Sequence, residues 1–357
     1  MPHVIVAAEE KSDTPIEDTH IDTRFPDLAQ AIRFSGDIRL CGEKIPFTDP
    51  EVKERFEKEM MLIVWNQPQV MLWLKRAHRW FPHIEEVLKQ EKLPLDMKYL
   101  PIVESALLPH GESYSGAVGY WQFIKSTGQR YGLRIDSQVD DRRNMFCATR
   151  AACRYLKDLY SQFGSYLLAM SAYNMGEYGL EKAIKLQDTR DFFSLYLPLE
   201  TQRYILRIVA VKLILSDPEA YGYHLEPQDL YPVFTYSEIK LSPKCAVPIS
   251  MIATACDVSF KTIKDYNPQL RGYYLDKGPT TLLVPDGTHK EFFKKFTPLY
   301  TALEKKELAS SKYHVVKAGE NLSAIARKYN ISLSGLRRLN KLSKKHVIHP
   351  GDELRVQ

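Results

Sequence analysis

From Pro50 to about Gly222, apolar side chains return every three or four residues, a spacing that packed helices bury on one face. Val52, Phe56 and Met60 fall four apart. Ala148, Ala151, Ala152, Tyr155, Leu156, Leu159 and Phe163 follow the i, i+3, i+4 rule, as do Tyr204, Ile205, Ile208, Val209 and Leu213. Pro109, Gly111, Gly116, Gly119, Gly128, Gly132, Gly176 and Gly179 punctuate these segments. The expectation is one compact all-helical domain of about 170 residues, long enough to enclose a proper core. It is assigned to residues 45–224, after a polar, weakly periodic extension, 1–44, expected to be partly disordered.

Beyond Tyr223 the composition shifts toward Pro, Val, Thr and Lys, and an internal repeat emerges at an offset of 73 positions. Ile252, Ala253, Val258, Ser259, Ile263 and Asn267 recur as Ile325, Ala326, Ile331, Ser332, Leu336 and Asn340. Each copy reads as an apolar helix, a Val/Ile-Ser turn with the Ser as N-cap, and a second helix ending near the Asn. Strand-like runs at 312–316 and 353–356 flank the second copy, which makes it a βααβ unit. The expected boundaries are 225–288 for the first copy, 289–311 for a charged linker and 312–357 for the second copy. The fold class is therefore mainly α, a helical domain followed by small α+β modules.

Charge is uneven along the chain. Ser311 to Gln357 carries ten Lys and Arg against three Asp and Glu, a net of +7 within a total of +5, so residues 1–310 sum to −2. Such a basic end could attract nucleic acid, anionic lipid or an acidic polymer. The longest apolar run, Met60 to Trp65, is six residues, against roughly 18 for a bilayer span. Met1 to Thr14 holds no basic segment followed by a long apolar core, so no intact signal peptide is read there. Five cysteines form no CxxC pair, which disfavours zinc.

Chemistry concentrates between Pro94 and Leu133. Pro94 suits a first helical turn and Pro109 follows a helix end, so a helix is expected over about 94–108. Met97, Leu100, Glu104 and Leu108 then share a face, although Pro101 either kinks that helix or opens a second one. Glu104 is thus an acid among apolar neighbours. Burial favours the protonated form, which a general acid needs near neutral pH. The competing reading is a helix-terminal Glu that reaches water. Ser113, Gly116-Ala117 and Gly119-Tyr120-Trp121-Gln122-Phe123 follow, combining close backbone approach with amphipathic rings suited to a sugar.

These residues resemble a known family. Val103-Glu104-Ser105, the run from Ser113 through Gly116-Ala117, Gly119 and Trp121-Gln122-Phe123, Thr127-Gly128 and Tyr131-Gly132-Leu133 look like the soluble lytic transglycosylase domain, which has the goose-type lysozyme fold. So do Ala172-Tyr173-Asn174, Gly176-Glu177, and Glu200-Thr201 with Tyr204. The second copy, Tyr313 to Gly319, Asn321 to Ala326, Asn340 and Pro350-Gly351, looks like a LysM module, and the first like a degenerate version of it. The resemblance covers about 45–357.

It implies that Glu104 is the single catalytic acid/base, and that Ser113, Gly116, Gln122, Tyr173, Asn174 and Tyr204 are substrate-binding. It implies glycan contact by Gly319, Asn321, Asn340 and Pro350 of the LysM module. The implied reaction cleaves the β-1,4 bond between N-acetylmuramic acid and N-acetylglucosamine in peptidoglycan and leaves 1,6-anhydro ends, with no cofactor and no metal. The implied setting is the periplasm or cell envelope, with a monomer acting on peptidoglycan glycan strands and no nucleic acid bound. Peripheral or lipid-anchored membrane association stays open. Among other acids, Asp140 and Asp141 are expected to pair with Arg142 and Arg143, Glu112 to be solvated, and Glu177 to be the first suspect for a second carboxylate. A hydrolytic lysozyme on the same fold and an inactive glycan-binding scaffold are the alternatives.

Overall fold

The computed structural model describes residues 28–34, 36–311, 313–343 and 346–357. Its helical domain begins with a short helix, α1 (Leu28–Ala31), and a hairpin of β1 (Arg39–Leu40) and β2 (Glu43–Lys44). Two long helices follow, α2 (Pro50–Trp65) and α3 (Gln67–Gln90), then α4 (Leu100–Ser105) and α5 (Lys125–Arg130). The domain closes with α6 (Met145–Phe163), α7 (Tyr166–Met175), α8 (Glu177–Gln187) and α9 (Leu199–Ser216). The mainly α expectation holds.

Local chemistry explains the boundaries. Asp49 caps α2 by accepting from Glu51 N at 2.8 Å, just ahead of Pro50. Asn144 accepts from Phe146 N and Cys147 N to start α6, and Ser165 from Leu168 N to start α7. α9 is the axle of the domain: Ile205, Ile208, Val209, Ala210 and Val211 have no exposed surface, and α2, α4 and α7 pack around it. Each Ile or Val side chain so enclosed contributes roughly 1.5–3 kcal/mol relative to leaving it in water.

The expectation of partial disorder over 1–44 falls in part on residues 1–27, which lie outside the described residues. From Leu28 onward the chain is packed. Leu40 and Ile45 are buried in the first core, and the rings of Phe34 and Phe47 sit 5.0 and 4.7 Å from that of Phe56. Glu43 receives the Ser165 hydroxyl at 2.7 Å and Tyr166 N, which ties the hairpin to the start of α7. A two-residue strand leaves no periodicity to read, so the polar composition gave no sign of this hairpin.

The helix expected over 94–108 is two pieces, a 3-10 turn at Leu95–Tyr99 and α4, with Pro101 in the first turn of α4. Of the alternatives left open at Pro101, the second is the observed one. Ala106 and Leu107 both take left-handed backbone, at φ 54° and 57°, so the helix stops at Ser105 and Leu108 is exposed rather than in the apolar stripe.

The C-terminal third holds two further cores. The first copy of the repeat pairs β3 (Ser237–Leu241) with β6 (Thr280–Val284) and β4 (Val247–Pro248) with β5 (Tyr274–Leu275), around α10 (Ile249–Ala255) and α11 (Phe260–Tyr266). The charged connector, expected to be helical, is α12 (His289–Ser311), but its Phe292 and Phe296 are buried in this second core. Its charged residues masked an apolar i, i+4 pair, so only the later part is a connector. The second copy is β7 (Tyr313–Val315), α13 (Leu322–Lys328), α14 (Leu333–Leu339) and β8 (Glu353–Arg355), with β7 antiparallel to β8.

Candidate active site

A cleft of about 510 Å³ opens beside α4, lined by Glu104, Ser113, Gln122, Tyr173, Asn174 and Tyr204 among others. Five of the six residues expected to bind substrate therefore join Glu104. Gly116 does not line it; its carbonyl accepts from Arg142 Nη1 at 3.1 Å, so it serves the wall rather than the surface.

Glu104 sits at the end of a one-and-a-half-turn helix whose Leu100, Pro101 and Ile102 are buried. Burial raises its carboxyl from 4.5 to about 7, against the downward pull of a hydrogen bond from Tyr204 and of the Arg207 charge, while Glu200 pushes it further up. The Tyr204 hydroxyl donates to Oε1 at 2.5 Å. Burial also drives the Tyr204 and Tyr173 hydroxyls well above the usual tyrosine range, so both remain donors. A carboxyl that is protonated in about half of the molecules at pH 7 can give a proton and then take one back.

The wall opposite is a loop held by hydrogen bonds. Tyr173 donates to Trp121 O at 2.6 Å and the Trp121 indole to Thr149 Oγ1 at 2.9 Å. Gln122 has φ 47° and its Nε2 donates to Gly111 O and Gly119 O, so its amide nitrogen is spent on the loop and its oxygen is left for a ligand. Ser113 Oγ accepts from Ala117 N and lies 2.9 Å from Ser115 Oγ. Asn174 Oδ1 accepts from the Thr201 hydroxyl at 3.0 Å, leaving its Nδ2 without a partner among the described residues. Gly119, at φ 84°, passes so close to the next segment that a Cβ would meet Arg142 O at 1.9 Å.

Asp140 and Arg142 form the expected pair, bidentate at 2.8 Å and buried. Arg142 also donates to Phe123 O at 3.0 Å, so the pair braces the cleft wall. Asp141 instead accepts from Arg134 N at 3.0 Å. Glu112 is exposed, as expected. Glu177 is outside the cleft lining; Arg130 holds it bidentately at 2.7 and 3.0 Å and lowers its carboxyl.

Sequence reasoning passed over a charge network behind the acid. Buried Glu59 pairs with Arg203 at 2.5 Å and Arg207 at 3.0 Å, and Arg207 also reaches Glu200 at 3.1 Å. Glu200 and Arg207 line the cleft with Glu104. Glu200, Arg203 and Arg207 are spaced by three and four residues, a helical face that was available to read. Among the described residues no group of three His, Cys, Asp or Glu is placed to hold a metal ion, and no helix is long and apolar enough to cross a membrane.

In the second copy of the repeat, Asn321 caps α13 by accepting from Ala324 N at 2.9 Å. Asn340 Nδ2 donates to Leu336 O and Arg355 O at 2.8 and 2.7 Å, and its Oδ1 accepts from Arg355 N at 2.5 Å. Asn267 makes the same latch in the first copy, to Ile263 O and Leu283 O and from Leu283 N. Of the two asparagines expected to touch glycan, Asn340 is thus occupied within the fold, while Asn321 spends its Oδ1 on the helix cap. Gly319 (φ 83°, in the turn closed by Glu320 N to Lys317 O) and Pro350 lie exposed on neighbouring loops, joined by Gly351 N donating to Val316 O.

Three family descriptions match the chain: Transglycosylase SLT domain over 83–195, Lytic transglycosylase MltD LysM-like domain over 244–301, and LysM domain over 314–357. Membrane-bound lytic murein transglycosylase D of Escherichia coli (strain K12) is 30% identical over 346 residues, 93% of this chain and 75% of that protein. Peptidoglycan transglycosylase gp16 of Escherichia phage T7 is 42% identical over 76 residues, 21% of this chain and 6% of that one. Among solved structures, an inactive mutant of the lytic transglycosylase Slt from Pseudomonas aeruginosa aligns with 20% identity and a TM-score of 0.34, covering 53% of this chain and 37% of that chain.

Proposed function

This chain belongs to the lytic transglycosylases, in the family of membrane-bound lytic murein transglycosylase D, and on that premise we propose how its cleft cleaves peptidoglycan. The observation that carries the mechanism is Glu104, with its carboxyl raised to about 7 and hydrogen-bonded by Tyr204. Protonated, Glu104 gives its proton to the oxygen leaving the muramic sugar. The N-acetyl carbonyl of that sugar stabilises the cation-like carbon left behind. Glu104, now a carboxylate, takes the proton of the same sugar's 6-hydroxyl as that oxygen closes on the anomeric carbon. One bond breaks, one forms, and no water is consumed. Holding the hydroxyl beside the carbon makes this internal attack competitive with water.

Glu200 is the second carboxylate in the lining, but Arg207 pairs with it at 3.1 Å, which holds it off from water activation. We assign Ser113, Gln122, Tyr173 and Asn174 to saccharide contacts and Tyr204 to orienting the acid. The LysM match supports binding to wall glycan, with Gly319 and Pro350 on the exposed loops as the contact points. The substrate places the enzyme in the cell envelope; the periplasm is the compartment, and the monomer the working unit, that we propose. Digestion of purified peptidoglycan followed by mass spectrometry of the muropeptides tests the reaction. The expected products carry 1,6-anhydro-muramic ends, one water lighter than a lysozyme's. Reducing ends alone would hand the site to the hydrolase reading, with Glu200 as the base.

A further inference from the structure

A second cavity, of about 470 Å³, lies along the stretch that follows the catalytic helix. Leu107, Leu108 and Pro109, just after the catalytic helix, form one side with Tyr120. α3 supplies Arg76, Arg79 and Trp80, and the opposite wall comes from 231–235 and the end of α11. Arg76 Nη1 donates to Ala106 O at 3.1 Å, and the Arg79 guanidinium lies 4.6 Å from the Tyr231 ring centre, with Lys75 Nζ at 5.5 Å from the same ring. Among the described residues, none of these three cations forms an ion pair. Elsewhere in the domain Arg130, Arg134, Arg142, Arg203 and Arg207 all do. The one acid in the lining, Asp265, is paired with Lys261.

Arg76 is held below the usual arginine range by burial, and the neighbouring Arg79 charge acts in the same direction. Two guanidinium groups kept together, partly dry and unneutralised, are complementary to a carboxylate-bearing ligand, which they can bind through paired N–H groups. Tyr231 and Trp80 add flat apolar surface for a short chain between the charges.

We propose that this cavity receives the peptide stem of the muramic residue being cleaved, with Arg76 and Arg79 reading the stem's free carboxylates. The inference rests on the transglycosylase reading of the first cleft. Reach agrees with it: Glu104 and Leu108 are separated by at most about 14 Å of chain, and a stem of three or four residues extends over about 10–14 Å. The stem is the only part of that substrate that offers several carboxylates at such a distance from the scissile bond.

The test compares two substrates on the full chain: glycan strands with intact stems, and the same strands stripped of stems by an amidase. Arg79→Glu should lower the ratio of kcat/KM for stem-bearing over stripped strands about tenfold, through KM, with Arg79→Lys between the two. Arg79→Gln, which adds no negative charge, is the companion if the Glu variant melts early. Free stem tetrapeptide, titrated into the full chain and followed by isothermal calorimetry, should bind more weakly to the Glu and Gln variants. An unmoved ratio, or an equal loss on both substrates, would overturn the inference. Stem binding without anhydro products would instead sink the transglycosylase reading alone.

Discussion

Tyr204 reaches Glu104 from a helix a hundred positions later in the chain, and its hydroxyl donates to Oε1 at 2.5 Å. The bond opposes the upward push of burial, so its removal lets the carboxyl rise above about 7. Tyr204→Phe should therefore move the alkaline limb of the pH–kcat/KM profile to higher pH, because the acid stays protonated longer. Turnover should fall by about tenfold as the carboxyl loses its anchor. A profile that stays in place would separate Tyr204 from the acid.

Glu104→Gln removes the transferable proton and should cost at least about 10²–10⁴-fold in turnover while glycan binding survives. It should also stabilise the protein at neutral pH. The folded carboxyl titrates near 7 and the unfolded one near 4.5, so between those values the folded state binds more protons and stability falls as pH rises, levelling above 7. The Gln variant escapes that loss. Urea unfolding should show a gain of about 1–2 kcal/mol at pH 8 and none at pH 4, less than the full shift implies because the side chain is partly open to solvent.

Asn340→Ala should open the last module and nothing else. It removes three hydrogen bonds worth about 1 kcal/mol each, and a unit of that size has only about 3–5 kcal/mol to lose. Sedimentation with insoluble peptidoglycan should weaken while short soluble glycans are still turned over. Truncation after Ser311 should do the same. Wall binding by the truncated chain equal to that of the full one would remove the module from substrate capture.

Gly119→Ala should be among the most damaging small substitutions. The added methyl would fall 1.9 Å from Arg142 O at a left-handed backbone position. The expected loss is about 3 kcal/mol or more, read by thermal unfolding, with activity lost at temperatures where the parent chain is intact.

Much of this was legible before any coordinates. Val52, Phe56 and Met60, and the face from Ala148 to Phe163, are buried as their spacing requires. Ser259 and Ser332 both cap the second helix of their copy, accepting from Thr262 N and Gly335 N, so the repeat read by eye is a repeat in space. The elements that escaped have no long period. The hairpin at 39–44 is held by a Glu43 that looks like any surface acid until Tyr166 N is seen to meet it. The end of α4 depends on two consecutive left-handed residues, Ala106 and Leu107, types that give no warning of it. The candidate acid and its wall were found by motif, whereas the Glu59–Arg203–Arg207 cluster joins two helices that are remote in sequence.

One contact sets how the chain can be shortened. Val139 bridges Leu270, Asp140 N donates to Gln269 O at 2.9 Å, and Arg271 N to Gln138 O at 2.8 Å. The first copy of the repeat is therefore stitched to the stretch whose Arg142 supports Gly116 and Phe123 at the edge of the cleft. The second copy makes no such stitch among the described residues. The two copies of the repeat consequently differ in standing: one can be exchanged like a tool head, while the other is masonry, and an engineer who swaps it must rebuild the wall it supports.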